Sequence, residues 1–242
     1  MRRAGLVFGF YIILSVLLAL PVAANQETEN LVSVILEDFN DPEESAWIVR
    51  GSKFITEGFP RTAYPEAWPA ALHGANREGF PYRVLGVNGK FDRLGYNYIE
   101  FIPDRRNEDG EFVGIPIPGR CKLLDLWVWG SNHNYYLEAH LTDYRGITHV
   151  LPLGDLNFAG WRNLKTEIPP YIPQGRTHIP QLRPLSLVKL VMWTRPTEKV
   201  DNFFVYLDQI KVLTDMFVSR FDGDELADPE LVDEIWSTEG GL

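Results

Sequence analysis

The stretch from Leu123 to Leu164, LLDLWVWGSNHNYYLEAHLTDYRGITHVLPLGDLNFAGWRNL, constrains the fold of this chain more than any other. Leu124, Leu126 and Val128 alternate with Asp125, Trp127 and Trp129, the period of two that marks a strand with two unlike faces. Gly130-Ser131-Asn132 breaks the run. Leu137, Ala139 and Leu141 then alternate with Tyr136, Glu138, His140 and Thr142. Asp143-Tyr144-Arg145-Gly146 is a turn, with Gly146 free to take positive φ. Ile147 to Leu153 returns as a third strand, and a loop through Asn157 and Gly160 leads to Trp161-Arg162-Asn163-Leu164. Three strands read as consecutive hairpins predict an all-β chain.

The flanks extend that reading. Strands are expected at Leu31–Asn40, Trp47–Ile55, Asn97–Pro103, Leu187–Trp193 and Phe203–Thr214. In the last of these Phe204, Tyr206, Asp208, Ile210 and Val212 fall on one side. The segment Gly58–Gly89 is rich in Gly, Pro and aromatics and lacks clean periodicity. It is too long for an ordinary loop, so it reads as a packed decoration with one short strand near Val84. Ile168–Pro184 contains Pro169, Pro170, Pro173, Pro180 and Pro184, and proline removes donors from a sheet ladder, so this is an extended connection. Together these elements predict one antiparallel β-sandwich of jelly-roll type, two sheets of roughly four to six strands each.

Both ends differ from the middle. Arg2 and Arg3, the apolar run Ala4–Leu20 and the small residues Val22-Ala23-Ala24 read as a cleaved export signal over residues 1–24. The run is short for a bilayer span, which takes about 20 residues. The sandwich domain is expected over 25–215, followed by an acidic tail over 216–242. After Arg220 no Lys or Arg occurs. Within the tail Asp228-Pro229 reads as an N-cap and first helical residue, and Leu231, Val232, Ile235 and Trp236 share one helical face, so a short helix is expected over 229–236. Two readings of the tail stay open: a solvated acidic segment, or a helix whose apolar face docks on a neighbouring subunit.

Charge and motifs exclude several function classes. The formal net charge is −10, and Arg105-Arg106 is followed at once by Glu108 and Asp109, so no basic stripe suits nucleic acid or an anionic membrane. No GxSxG, HExxH, P-loop or GxGxxG occurs. The single cysteine, Cys121, precludes an internal disulfide and reads as a partly buried free thiol, with pairing between chains as the alternative. The histidines are His73, His133, His140, His149 and His178; His140 and His149 are expected to face each other across the Asp143–Gly146 turn, one ligand short of a zinc site. Glu138 and Asp143 are the carboxylates nearest to a glycosidase-like pair, whose separation sequence does not set.

Aromatics make up 13% of the chain, enough to stud a surface as well as fill a core. Trp127, Trp129, Tyr135 and Tyr136 cluster around one turn, and Tyr136 shares a face with Glu138, His140 and Thr142. These residues define a candidate interaction face: Trp127, Trp129, Tyr135, Tyr136, Glu138 and His140; core packing of an inner sheet is the competing reading for Trp127 and Trp129. Such a face suits sugar rings or subunit contacts equally. Trp161 and Trp193 read as core.

The D-x-x-G turn followed by LG-x-L-x-x-x-GW-x-N resembles the central hairpin of galactose-binding-type jelly rolls, many of them carbohydrate-binding modules. The fuller wording is narrower. DLWVWGSNHNYYLE, LTDYRGITHVLPLGDLNFAGWRNL and IPPYIPQ resemble the spirochaete flagellar filament outer layer protein A family, the sheath proteins of periplasmic flagella. VILEDFNDP with Trp47 downstream, GSKFITEGFP, GYNYIEFIP and YLDQIKVLTD fit the same pattern, over roughly Leu31 to Asp215. The acidic tail lies outside it. The resemblance implies a non-catalytic subunit of the periplasmic filament's outer layer, with the flagellin core and other sheath subunits as partners. The alternative is a soluble periplasmic carbohydrate-binding module with a glycan partner. Jelly rolls of this type also imply one structural calcium, for which Asp38 and Asp208, in EDF and YLD, stand at the matching places.

Overall fold

A computed structural model describes residues 29–43, 46–75, 79, 81–176, 181–217 and 223–237. The leader expected over 1–24 and His178 lie outside the described residues. The elements run β1 (Leu31–Glu37), β2 (Trp47–Gly51), β3 (Arg61–Ala63), α1 (Ala70–His73), β4 (Leu85–Gly89), β5 (Tyr98–Pro103), β6 (Ile115–Pro116), β7 (Arg120–Ser131) and β8 (Tyr136–Thr142). They continue with β9 (Thr148–Asp155), β10 (Ala159–Glu167), β11 (Gly175–Arg176), β12 (Gln181–Leu182), β13 (Ser186–Trp193) and β14 (Phe203–Asp215). A 3-10 turn at Asp224–Ala227 and α2 (Pro229–Ser237) close the chain.

The strands form the expected antiparallel sandwich of jelly-roll type. The first sheet has the order β10-β7-β14-β4-β3, with β1 also paired to β14. The second has the order β2-β5-β13-β8-β9, with β6 beside β13. On β14 one edge is taken by β7, and β4 and β1 share the other end to end.

The core is made by alternation. Leu124, Leu126 and Val128 of β7 point inward from one sheet, and Leu137, Ala139 and Leu141 of β8 point inward from the other, all fully buried. Ile99, Phe101, Leu190, Met192, Phe203 and Leu207 complete the layer. Each fully buried Leu or Phe contributes roughly 1.5–3 kcal/mol relative to exposure, so this layer dominates folding. Cys121 sits in it as a free thiol, its pKa pushed up to about 12 by burial, which leaves it unreactive.

Four expectations are corrected. First, the segment from Leu123 to Leu164 is not one run of hairpins. Only β8 and β9 pair with each other; β7 belongs to the first sheet, and β10 returns there to pair with β7. The Gly130–Asn132 break is therefore a corner between sheets. Asn132 takes φ 61°, which Asn tolerates, and donates its N–H to the Phe158 carbonyl at 2.9 Å.

Second, the side chains of β14 do not keep one phase. Phe204, Tyr206 and Asp208 share the outer face, but a bulge between Asp208 and Lys211 turns Ile210 and Val212 inward, fully buried. Gln209 takes φ 45° there, the local kink that one extra residue imposes.

Third, Gly58–Gly89 contributes two strands, β3 and β4, as well as α1; β4 pairs directly with β14 and is part of the sheet. Fourth, Trp161 and Trp193 are not core: both are half-exposed.

Candidate functional site

A strand buried on one side presents every second residue to the other, so each sheet has an outer face. On the first sheet, registered neighbours form rows across the strands: Trp161, Trp129, Tyr206 and Gly86 in one, Asn163, Trp127 and Asp208 in the next, Lys165, Asp125 and Lys211 in a third. Trp129 meets Tyr206 edge to face, ring centres 5.4 Å apart at 80°, the arrangement that ring quadrupoles favour. Tyr206 lies over Gly86, where a Cβ would approach its ring to 2.8 Å. Asn163 donates to Asp125 at 2.7 Å, and Lys211 stands 3.6 Å from the same carboxylate. The Trp127 indole N–H is buried and has no acceptor among the described residues. Phe204 extends the strip and is exposed.

The second sheet carries a different outer face. Tyr98 of β5, Trp193 of β13 and Tyr136 of β8 are registered neighbours. The Trp193 ring lies 4.9 Å from that of Tyr98, and 6.4 Å from that of Tyr136 and nearly parallel to it. Trp193 Nε1 donates to Glu138 Oε2 at 2.8 Å, and His140 Nε2 stands 3.5 Å from the same oxygen. Burial lowers the pKa of His140, against the pull of Glu138, so the imidazole is neutral at pH 7. Lys189 is paired with Glu100. Arg195 lies over the Tyr136 ring at 5.1 Å and binds Asp155 at 2.6 Å. Beside it is an open cleft of about 400 Å³, lined in part by Tyr96, Tyr136, Pro152, Asp155 and Arg195.

The six residues of the candidate interaction face therefore do not share a surface. Trp127 and Trp129 stand on the first sheet's outer face, and Tyr136, Glu138 and His140 on the second's. Tyr135 is on neither: it is fully buried, packed edge to face on Phe203 at 5.1 Å, with its hydroxyl donating to the Lys199 carbonyl. The corner between β7 and β8 separates what the sequence clusters. Trp193 is the residue that sequence reasoning missed. Its place opposite Tyr136 follows from strand register, which one chain's periodicity does not reveal.

The acid–base constellations also dissolve. His140 pairs in register with Val150, not His149. His149 turns to Asp143, Nε2 to Oδ2 at 3.0 Å. Asp143 is buried and accepts the backbone N–H groups of Arg145 at 2.8 Å and Ile147 at 3.1 Å, and the Arg145 guanidinium at 3.0 Å. Burial pushes its carboxyl upward, yet these bonds win and hold it well below the usual carboxylate range. Asp143 is thus a turn clasp, and Glu138 faces the opposite way along β8 from the core side that His149 shares.

The charge of Asp38 is felt at Asp208. Asp208 is buried, and burial first, with the charge of Asp38 adding, pushes its carboxyl up to about 7 against a bond from the Gln209 backbone. The neighbouring Glu37 is engaged elsewhere: Oε1 accepts the Phe39 N–H at 2.8 Å and Oε2 the Trp47 indole N–H at 3.0 Å. Among the described residues no three His, Cys, Asp or Glu side chains gather to hold a metal. The donors fit a calcium only if carbonyls and water complete the six to eight oxygens it takes.

The fold and these surfaces define a class: a two-sheet β-sandwich with an aromatic strip on each outer face. The chain belongs to the flagellar filament outer layer protein FlaA family, whose model matches residues 28–222. It is 26% identical over 197 residues to a flagellar filament outer layer-like protein of Brachyspira hyodysenteriae, covering 81% of this chain and 85% of that one. It is 24% identical over 191 residues to the flagellar filament outer layer protein of Borreliella burgdorferi, covering 71% of this chain and 55% of that one, so it spans about half of that relative. Among solved structures it is similar to TmCBM61 in complex with β-1,4-galactotriose, at 12% identity and TM-score 0.40, covering 75% of this chain and 99% of that one. It is also similar to a family 11 carbohydrate-binding module of Clostridium thermocellum, at 10% identity and TM-score 0.41, covering 75% and 95%.

Proposed function

We propose that this chain is a non-catalytic structural subunit of the outer layer of the periplasmic flagellar filament. It coats a flagellin core, contacts other sheath subunits and influences filament shape or stiffness, and through it motility. The observation that carries the reading is the family match over nearly the whole sandwich, to a family of structural filament outer layer proteins. Two half-exposed aromatic faces on opposite sides supply what a layer needs, since a subunit within it must touch more than one neighbour. The leader read in residues 1–24 supports export to the periplasm, and no helix among the described residues is long and apolar enough to cross a membrane.

Fractionation tests this. An antibody to this chain is applied to purified periplasmic filaments and to the soluble periplasm. Co-purification through a salt wash is the expected result; a purely soluble signal overturns the reading. In a deletion strain, flagellin filaments persist with altered curvature or stiffness, and unchanged filament shape and motility would remove the mechanical role.

A second reading rests on the cleft beside Tyr136. Tyr96 and Tyr136 offer ring faces there, and Arg195 and Asp155 offer polar groups, the ingredients of a glycan subsite. In that reading the chain is a soluble periplasmic carbohydrate-binding module. Glycan screening of the soluble protein tests it. A structural calcium at Asp38 and Asp208 is compatible with either reading; it would bind the carboxylates and tie the end of β1 to β14.

A further inference from the structure

The edge of a sheet presents a row of backbone N–H and C=O groups, and chains that stay monomeric blunt such edges with charge, proline or shortness. Most edges of this sandwich are blunted in that way. β9 carries Pro152, β10 carries Arg162 and Lys165, and β2 carries Arg50. β3 and β6 have only 3 and 2 residues. β1 is different: its 7 residues read Leu-Val-Ser-Val-Ile-Leu-Glu, with no proline and no basic residue. Its one charged residue, Glu37, follows a bulge and is buried. The bulge and Glu37 close the strand at Leu36 and leave Leu31–Ile35 bare.

Among the described residues β1 pairs with β14 alone. β3 lies beyond β4, and no described strand takes the corresponding place beyond β1. The side on which each backbone group lies follows from one bond: the Met216 N–H donates to the Asn30 carbonyl at 2.8 Å. Backbone groups alternate sides along a strand, so Val32 and Val34 also face β14, and Leu31, Ser33 and Ile35 aim their N–H and C=O groups at the free edge. These three are exposed, Leu31 at 50% and Ile35 at 52%, whereas Val34 and Leu36 on the other side pack against the core. The edge thus combines unpaired backbone groups with bare apolar side chains.

We propose that β1 pairs with β1 of a second copy, antiparallel across a two-fold axis, with Ser33 opposite Ser33. Alternating donors and acceptors at strand spacing are satisfied by another strand, and the second copy brings one that is bare over the same residues. This register lays the open stretch of one copy on that of the other. Leu31 of each then meets Ile35 of its partner, an apolar cross-strand pair. No charge occurs from Leu31 to Leu36 to oppose its like, and Glu29, just outside, is held by Lys122 at 3.4 Å. The chain's other long edges would set Pro152, Arg50 or Lys165 into the new ladder instead. The contact is isologous and closes, so the product is a dimer in which two first sheets become one. So short a strand buries a small area, and the dimer is weak on its own. Its place between subunits of a filament layer rests on the outer-layer reading; the pairing itself does not.

The test uses the purified chain from Asn25 onward in sedimentation equilibrium, where mass is expected to rise with concentration and to level off at a dimer. Ser33→Pro removes an N–H that the ladder to β14 does not use and sets a ring on the free edge, a place where strands tolerate proline. Leu31→Lys with Ile35→Lys charges two exposed positions of the same edge. Each variant is expected to weaken the dimer at least ~10-fold, since a ladder of backbone bonds is lost, and circular dichroism verifies its fold. Ser33→Cys reads the register. Opposite residues of a hydrogen-bonded antiparallel pair have Cα atoms about 5.5 Å apart, within disulfide reach, and Cys121 is buried. Oxidation is expected to link Ser33→Cys into a dimer and to leave Ile35→Cys, which faces Leu31, unlinked. A chain that stays monomeric at every concentration, a dimer indifferent to both edge variants, or equal linking of the two cysteine variants would each overturn the proposal. So would slow hydrogen exchange at the Leu31, Ser33 and Ile35 amides of the monomer, the mark of residues 217–222 or another part of the same chain filling the edge. Failure of the pairing in the purified chain leaves the outer-layer reading to its own fractionation test; a dimer that never reaches filaments is the reverse.

Discussion

Trp193 Nε1 donates a hydrogen bond to Glu138 Oε2 across adjacent strands, 2.8 Å apart on the outer face of the second sheet. The bond fixes the indole between Tyr98 and Tyr136 and so sets the shape of that aromatic row. Glu138→Ala leaves a half-buried indole N–H without its partner and is expected to cost about 1–2 kcal/mol. Urea unfolding of the variant measures the loss, and red-shifted tryptophan emission accompanies it. Stability equal to that of the unaltered chain would mean that the row is held by stacking alone.

Asp208 makes stability depend on pH in an uncommon direction. Its carboxyl ionises near 4 in an unfolded chain and near about 7 in the folded protein. Between these values the folded state holds the extra proton. Stability is therefore full at the acid end of the window and falls as pH rises through it, at up to ~1.4 kcal/mol per pH unit. Asp208→Asn is expected to flatten the slope and to raise the melting temperature at about pH 8. If calcium binds at Asp38 and Asp208, millimolar calcium stabilises the unaltered chain at that pH and leaves Asp208→Asn unmoved. Equal calcium response in both removes the site.

Asp143 has the opposite sign. Its folded-state pKa is depressed, so the stability it contributes is present above the unfolded value and is lost as pH falls through the folded one, in strong acid. Asp143→Ala strips the acceptor from His149, Arg145 and Ile147 and is expected to cost about 3 kcal/mol, since bonds to a charged group are the stronger kind. Thermal unfolding near neutral pH reads the effect.

Trp129→Ala and Tyr136→Ala now report on separate surfaces. In a layer subunit, filament association is expected to weaken at least ~10-fold with Trp129→Ala, as loss of an aromatic anchor does. In a glycan-binding module, Tyr136→Ala abolishes binding to a specific glycan and Trp129→Ala leaves it intact. Co-sedimentation with filaments and a glycan array measure the two.

The sandwich was legible because alternation is local: Leu124, Leu126 and Val128 announce a buried face without reference to any partner. The arrangement of faces was not, because it depends on which strands pair. Nothing local in GSNHN shows that the chain changes sheets there and that Tyr135 is swallowed by the corner. Trp193 was hidden for the same reason. The Asp208 bulge was invisible because Ile210 and Val212 continue an apolar pattern that reads equally well in either phase. The candidate site was thus legible in its residue types and not in its grouping. The presence of a short C-terminal helix was legible, since a four-residue apolar stripe at helical spacing needs no tertiary context.

The phase change at Gln209 bears on how such a chain tolerates alteration over time. Upstream of it β14 sends Phe203, Val205 and Leu207 inward; downstream it sends Ile210 and Val212. Removing one residue there would restore a regular strand and turn half of it inside out, whereas the decorated stretch between β2 and β4 has room for gains and losses. Homologous genes should therefore differ freely in length before Leu85 and hold the spacing between Phe203 and Asp215 fixed, a reading frame enforced by geometry rather than by codons.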